Sequence, residues 1–450
     1  MTISTISSFR VPRARLIVAA TAAVTAAAIL WLTRGFIFYF DEWSFILSAP
    51  EWSWTSYLQP HNEHPSILFK LLYSALLNTV GLRSYLPFMA VVIAFHALNV
   101  VLLFEVVRRR AGDLVAVAFA AGLLVLGAGA EDILWAFQLA WLASIACGLA
   151  TLLVLQSPSI PITAAAAVAL VAASLMFSGI GSVFAVVAVV QLAASPERRR
   201  DLLWFVPLGI AFGVWYIAFG HINATPTVPP PSAANLFRLP AYFVWGLAGG
   251  AGGIVGITGT PALAALVLAT GAIGFAWWRQ HPDAPALGAA AGLITFYVVT
   301  GLSRAQLGYW QSAAQRYVYV GAVLWLILLA DAARLLPWLG TWRPVLAACV
   351  LLACVNSSAL LIANGTERAE VMQRVIADLQ ALAVERSDQC LDPSGAVDPH
   401  SMPPVNIPAA YYRAIDRYGD PTAGLPITDR ADFDQARRNL VRSDCSPTYT

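Results

Sequence analysis

Long apolar stretches follow one another through the first 363 residues, with only short polar breaks between them. A helix needs about 20 apolar residues to cross a bilayer, and many stretches here reach that length. This restricts the chain to an all-α, polytopic membrane helical bundle. The charge agrees: 12% of the residues are charged, against roughly 25% in a soluble domain, and the mean hydropathy is +0.69. Charge is also concentrated, because the residues after Asn364 hold 13 of the 25 Asp and Glu and 9 of the 27 Lys and Arg. The net charge of +2 comes with no basic patch interleaved with aromatics, so nothing points to nucleic acid. Lys70 is the only lysine, and the Ala, Arg and Pro bias fits a bacterial source.

Positive flanks mark the cytoplasmic side of a membrane helix. Arg10, Arg13 and Arg15 precede the apolar run 16–32, so the N-terminus is cytoplasmic and the first span leads outward. A cleaved leader would also suit this Ala-rich run, and the next segment would emerge on the same side. That segment is polar and aromatic and leads to a helical stretch at 66–81. If 66–81 crossed the membrane, Arg108, Arg109 and Arg110 would fall outside, against the positive-inside rule. We therefore read it as a helix at the outer interface.

The same arithmetic places spans at 86–107, 113–130, 134–155, 160–177, 180–194, 202–219, 261–278, 285–302, 317–335 and 344–362. A Pro-rich loop covers 221–240, and the Gly-rich stretch 241–259 is interfacial or re-entrant. The result is about 11 transmembrane helices in a domain over 1–363, whose first external loop is 34–85. A small extracytoplasmic region follows over 364–450. Of the basic residues before the tail, twelve then face the cytoplasm and six face out or lie at the interface. In the tail we expect helices near 367–385 and 432–441 with an irregular Pro-rich region between them. An external tail permits a disulfide between Cys390 and Cys445; two unpaired thiols are the alternative.

Three external loops collect the chemistry-bearing side chains. The first holds Asp41 and Glu42 among Phe38, Tyr39, Phe40, Trp43 and Phe45, then His61, Glu63 and His64. A carboxylate among aromatics gains proton affinity and suits general-base work; a solvated acidic pair in an aromatic belt is the alternative. Two histidines and a carboxylate within four residues could hold a divalent metal. The spacing departs from His-Glu-x-x-His, however, and Pro65 disfavours helix at His64, so a hydrogen-bonding substrate site or a loop staple competes. The second loop holds Glu131 and Asp132, with Gln138 just inside the next helix. The third holds Arg304 and Arg316, whose guanidiniums match phosphate geometry or snorkel to the interface.

An acidic pair after the first span, a His-Pro, and then an amphipathic juxtamembrane helix resemble the pattern of GT-C membrane glycosyltransferases. This group includes the protein O-mannosyltransferases, the aminoarabinose transferases of lipid A and the actinobacterial arabinosyltransferases. Asp41-Glu42 matches the acidic pair, His64-Pro65 the His-Pro, and 66–81 the juxtamembrane helix. Ser66 stands where the family has a second proline, and His61-Asn62-Glu63 lies outside the general pattern. The likeness is specific over 10–155 and architectural beyond it.

The resemblance implies a plasma-membrane enzyme that uses a polyprenyl-phosphate-linked sugar as donor. A hydroxyl of a glycan, lipid or protein outside the cell would be the acceptor. Asp41 would be the base of an inverting transfer, with Glu42, His61, Glu63 and His64 orienting hydroxyls. Arg316 and Arg304 would hold the leaving phosphate, Glu131, Asp132 and Gln138 would line the same cavity, and Trp43 and Trp135 would stack on sugars or pack in the core. A flippase for a lipid-linked glycan, or a scaffold, is the rival class. A transporter should show repeated halves with ionisable groups at mid-membrane; the sequence shows no internal repeat.

Overall fold

The computed structural model describes residues 13–62, 64–221, 230–338, 340–386 and 408–442, together with 388, 390–392, 395–398, 402, 405 and 445. Every regular element among them is a helix. In chain order these are α1 (Ala14–Leu32), α2 (Glu42–Ser48), α3 (Ile67–Thr79), α4 (Leu86–Leu124), α5 (Ala130–Leu134), α6 (Leu139–Leu155), α7 (Pro161–Phe177) and α8 (Gly181–Ala194). There follow α9 (Val206–Trp215), α10 (Ala234–Gly253), α11 (Ala262–Arg279), α12 (Ala284–Arg304), α13 (Gln315–Ala333), α14 (Arg343–Glu385), α15 (Pro408–Tyr418) and α16 (Arg430–Leu440). Eight of the helical runs are long and apolar enough to cross a membrane. The chain divides into two compact units, one formed by 1–28, 58–68 and 92–362, the other by 29–57, 69–91 and 363–450. The second unit combines the segment from 363 onward with much of the first loop.

In the first unit α13 is the central helix, with 83% of its apolar window buried, whereas only 6% of the window in the run 196–220 is buried. Large apolar side chains on the outer helices, such as Ile210, Val214, Leu268 and Leu352, are exposed. Such a surface is stable only against hydrocarbon. α4 is two helices joined at Gly112, whose φ of 82° is open to glycine because it lacks a Cβ. This is the break expected between 107 and 113.

Charge sorts one end of this unit. Arg110 pairs with Asp283 and Asp331, both at 2.8 Å, and Arg334 joins Asp331 at 3.3 Å. Arg108 holds Asp113 at 2.7 Å, while Glu105 accepts from Arg15 and Arg108. Glu105 is thus neutralised by the arginines beside it. Arg198 donates to the Leu155 and Ser157 carbonyls. Arginines from four separate breaks in the sequence therefore share one end, as the positive-inside reading requires.

The Gly-rich stretch is more regular than expected. α10 starts at Ala234, inside the segment read as a Pro-rich loop, and carries Pro240 within it. Its first turn meets α12, where Asn235 Nδ2 donates to the Leu302 carbonyl at 2.8 Å. At its other end, a Cβ on Gly253 would strike Val318 and approach Ala128. Both ends of α10 therefore lie against residues 302–318 and 128, and the helix does not run from one end of the unit to the other. Cβ atoms at Gly246, Gly249 and Gly250 would collide with Tyr297, Ala313 and Trp325. Close helix packing through small residues, rather than an irregular loop, accounts for the glycines.

The second unit is built on an aromatic core. α3 buries Phe69, Tyr73 and Leu77 on one face; Phe38 packs edge-on against Tyr85 and Phe88 at 5.0 and 4.9 Å. α15 falls in the region expected to be irregular, and it buries Tyr411, Ala414, Ile415 and Tyr418 along one stripe, the spacing of an amphipathic helix. The last span, expected over 344–362, and the tail helix expected near 367–385 are one continuous helix, α14.

Cys390 and Cys445 form the disulfide, with Cα atoms 5.9 Å apart across 55 residues of sequence. Closing a loop of that length restricts the unfolded chain by about 4 kcal/mol in the chain-entropy account. Reduction should therefore lower the unfolding temperature of the protein in detergent, and Cys390→Ser should lower it equally. Identical melting with and without reductant would show that the bridge is structurally idle.

Candidate functional site

The acidic pair belongs to the second unit and sits where the chain enters α2. Asp41 is the residue before the first turn, and its carbonyl accepts from the Ser44 N–H at 3.1 Å. Phe40, just before it, has a φ of 52°, a conformation unusual outside glycine that turns the chain sharply into the pair. Glu42 is fully buried. Its carboxylate accepts from the Tyr39 N–H at 2.9 Å, from the Tyr73 hydroxyl at 3.3 Å and from the Tyr85 hydroxyl at 3.2 Å. Asp41 is half-buried. Trp43 has no exposed surface; its indole donates to the Phe38 carbonyl and its ring lies against Tyr411, so of its two readings the packed one holds.

The remaining candidates belong to the first unit. His61 and His64 close a tight turn with reciprocal backbone hydrogen bonds of 3.0 Å, and Asn62 takes a φ of 52°. Glu63, the third member of that cluster, lies outside the described residues. The His61 ring stands edge-on to Phe137 at 5.4 Å, and Phe137 stacks on Trp135 at 5.4 Å. Trp135 is buried, so it too packs in the core. The first-loop histidines are thereby joined to the segment carrying Glu131, Asp132 and Gln138. That segment is tied to the third loop, since Arg316 pairs with Glu131 at 3.1 Å and Gln315 accepts from the Glu131 N–H at 3.0 Å.

At this end of the first unit a cavity of about 300 Å³ is lined by His64, Arg304, Trp141 and Tyr317, with Gly179 and Ile180 from the α7–α8 turn. Trp141 and Tyr317 stack at 5.8 Å, and the Arg316 guanidinium lies 5.4 Å from the Tyr317 ring. Gly179 lies so close to the His64 imidazole that a Cβ would overlap Nδ1. The rest of the lining combines apolar side chains, among them Phe296 and Val299 of α12 with Phe212 and Tyr216, and the hydroxyls of Ser182, Thr300 and Ser303. No residue of α9 is fully buried; Phe212 packs against the core formed with Leu155, Val171 and Leu192, while Tyr216 and Val299 expose about half of their surface.

Of the residues expected in one cavity, His64 and Arg304 line this one. His61, Glu131, Gln138 and Arg316 lie in the segments joined to it and do not line it. Asp132 does not line it either, because it has no exposed surface. Trp141, Tyr317 and Gly179 were not singled out in the sequence. Trp141 lies one helical turn after Gln138 and Tyr317 directly follows Arg316, so both were within reach of the motif.

Neither Asp132 oxygen has a hydrogen-bond partner among the described residues. Burial, reinforced by the neighbouring Glu131 charge and opposed by Arg316, pushes its carboxyl well above the usual carboxylate range. The folded protein therefore holds a proton that the unfolded chain releases near pH 4. This stabilisation is complete below that pH and is lost as pH rises through the folded-state value. Relative to Asp132→Asn, which cannot ionise, the wild type should melt at progressively lower temperature as pH rises. Parallel melting curves across pH would contradict the assignment.

Set against known proteins, the chain matches no protein-family model and no curated protein. Fold and site define an all-helical protein whose eight apolar helices fit a membrane-embedded chain, with polar side chains from three separate segments gathered at one end of its larger unit.

Proposed function

We propose that this protein is a GT-C-type integral membrane glycosyltransferase of a bacterial plasma membrane. It moves a sugar, with inversion, from a polyprenyl-phosphate donor to a hydroxyl acceptor on the extracytoplasmic face. The N-terminus is cytoplasmic and the tail external. About eleven spans result when the two arms of α4 count separately and the shorter α7 and α8 also cross.

The observation that carries the reading is the cavity holding Arg304 and His64. It offers a guanidinium for phosphate, stacked aromatics of the kind that pack on sugar faces, and the half-exposed Tyr216 and Val299 for a polyprenyl chain. Its volume lies at the small end of ligand sites, in keeping with a phosphosugar headgroup whose lipid stays in the bilayer.

Chemically, the acceptor hydroxyl gives its proton to the Asp41 carboxylate as its oxygen bonds to the anomeric carbon. The bond from that carbon to the phosphate oxygen breaks, and its electron pair leaves on the polyprenyl phosphate. Arg304 stabilises the charge that develops there. Arg316 is engaged with Glu131 and holds the second and third loops together. Glu42, bound by two phenols and a backbone N–H, fixes the loop that carries Asp41.

A photoactivatable polyprenyl phosphate tests the donor site. Labelling should map to peptides containing Phe212, Tyr216 or Val299 and fall when unlabelled polyprenyl phosphate competes. Labelling confined to other helices would remove the cavity from the account.

A further inference from the structure

The second unit contains its own cavity, of about 350 Å³, which the transfer reaction does not use. Its polar lining is basic and hydroxylic: Arg34, Arg83, Ser84, Gln373 and Thr428, with Tyr85 on one wall and no Asp or Glu among the lining residues. Among the described residues neither Arg34 nor Arg83 pairs with a carboxylate. Two guanidiniums lining one cavity offer an anion several charge-assisted hydrogen bonds.

Both arginines are held in place. Arg34 donates to the Trp31 carbonyl at 2.7 Å, and its guanidinium lies 3.9 Å from the Trp31 ring. Arg83 follows a segment fastened to the end of α15: the Leu82 N–H donates to the Tyr418 carbonyl at 2.8 Å. Gly81 (φ 71°) makes that approach possible, since a Cβ there would overlap the Tyr418 carbonyl. The stem of Arg83 then crosses Gly419 so closely that a Cβ would sit 3.1 Å from its Cγ. Thr428 donates to Gln373 Oε1 at 2.6 Å, which leaves the Gln373 amide NH₂ as a donor. Arg34 stands two residues beyond the apolar helix α1 and Arg83 three before α4. Both therefore sit at the level of lipid headgroups.

We infer that this cavity binds the phosphate of a polyol phosphate, the two guanidiniums taking the anion and Ser84, Gln373 and Thr428 the hydroxyls. An anionic phospholipid headgroup or the phosphate of a soluble glycan would supply that chemistry. Tyr85 lines the cavity and donates to Glu42, so occupancy would bear on the loop that carries Asp41.

Binding of short-chain phosphatidylglycerol and of glycerol 3-phosphate to the purified full-length protein tests the inference. The measurement is made in an Arg304→Gln background so that the cavity of the first unit does not contribute. Replacing Arg34 and Arg83 together by Gln should weaken binding by about tenfold or more, the scale of two lost charge-assisted contacts. Arg34→Lys with Arg83→Lys should retain part of it. Loss for both probes identifies the polyol phosphate itself as the ligand; loss for the lipid alone, with no glycerol phosphate binding at all, identifies the membrane as its source. Unchanged affinity for both probes, in Gln variants that melt like their parent, overturns the site. Should the double variant fail to fold, Arg34→Gln and Arg83→Gln alone decide the question by the same criterion.

Discussion

Asp41→Asn is expected to reduce sugar transfer by about 10²- to 10⁴-fold, the usual contribution of a positioned general base. The substitution is nearly isosteric and leaves the carbonyl that caps the first turn of α2 in place. The loss should therefore appear in kcat, with the donor KM and the melting temperature unchanged. Glu42→Gln is the informative contrast. Its carboxylate is buried and accepts from the Tyr39 N–H and from the Tyr73 and Tyr85 hydroxyls, and an amide NH₂ in that position would face donors. That variant should melt at lower temperature as well as lose activity, because a buried acceptor site filled by a donor leaves its partners unsatisfied. If Glu42→Gln lost activity with unchanged melting while Asp41→Asn stayed active, the base would be Glu42.

Arg304→Gln should cost about 10²- to 10³-fold in kcat, the range for removing one group that stabilises charge at the transition state. Arg304 lines the cavity, whereas the Arg316 guanidinium is committed to Glu131 at 3.1 Å. The two arginines are consequently predicted to separate. Arg316→Lys, which can keep the pair with Glu131, should have a much smaller effect than Arg304→Gln. Arg316→Ala should destabilise the protein, because it leaves the Glu131 charge beside the buried Asp132 without its counter-ion. Equal and large kinetic losses for Arg304→Gln and Arg316→Lys would instead place both guanidiniums on the phosphate.

How legible this was varied along the chain for physical reasons. The long apolar helices were visible because crossing a bilayer demands length and apolarity, and both are local properties of sequence. The charge run Arg108, Arg109 and Arg110 marked the break in α4, which is likewise a local signal. Which face of each span packs inward was not visible, since α6, α8 and α13 are apolar on all sides and periodicity carries no signal there. The partnership of Trp141 with Tyr317 was hidden for that reason. Asp132 read as a polar turn residue; it is buried, in a turn packed so tightly that a Cβ on Gly129 would come within 3.3 Å of the Tyr319 Cβ. α15 was missed because Pro408 and the prolines before it suggested irregular chain, although Pro suits a first helical turn. The Arg34–Arg83 cavity draws on four stretches of sequence far apart in the chain, and no local pattern announces it.

The central claim is that the protein moves sugar from polyprenyl phosphate with Asp41 as base. Its most direct test supplies purified wild type and Asp41→Asn, in nanodiscs, with radiolabelled polyprenyl-phosphate sugars and a membrane extract as acceptor. The account predicts label in product with the wild type and almost none with the variant. Equal transfer by both would contradict the role of Asp41, and no transfer from any donor by folded wild type would contradict the enzyme itself and favour transport or scaffolding.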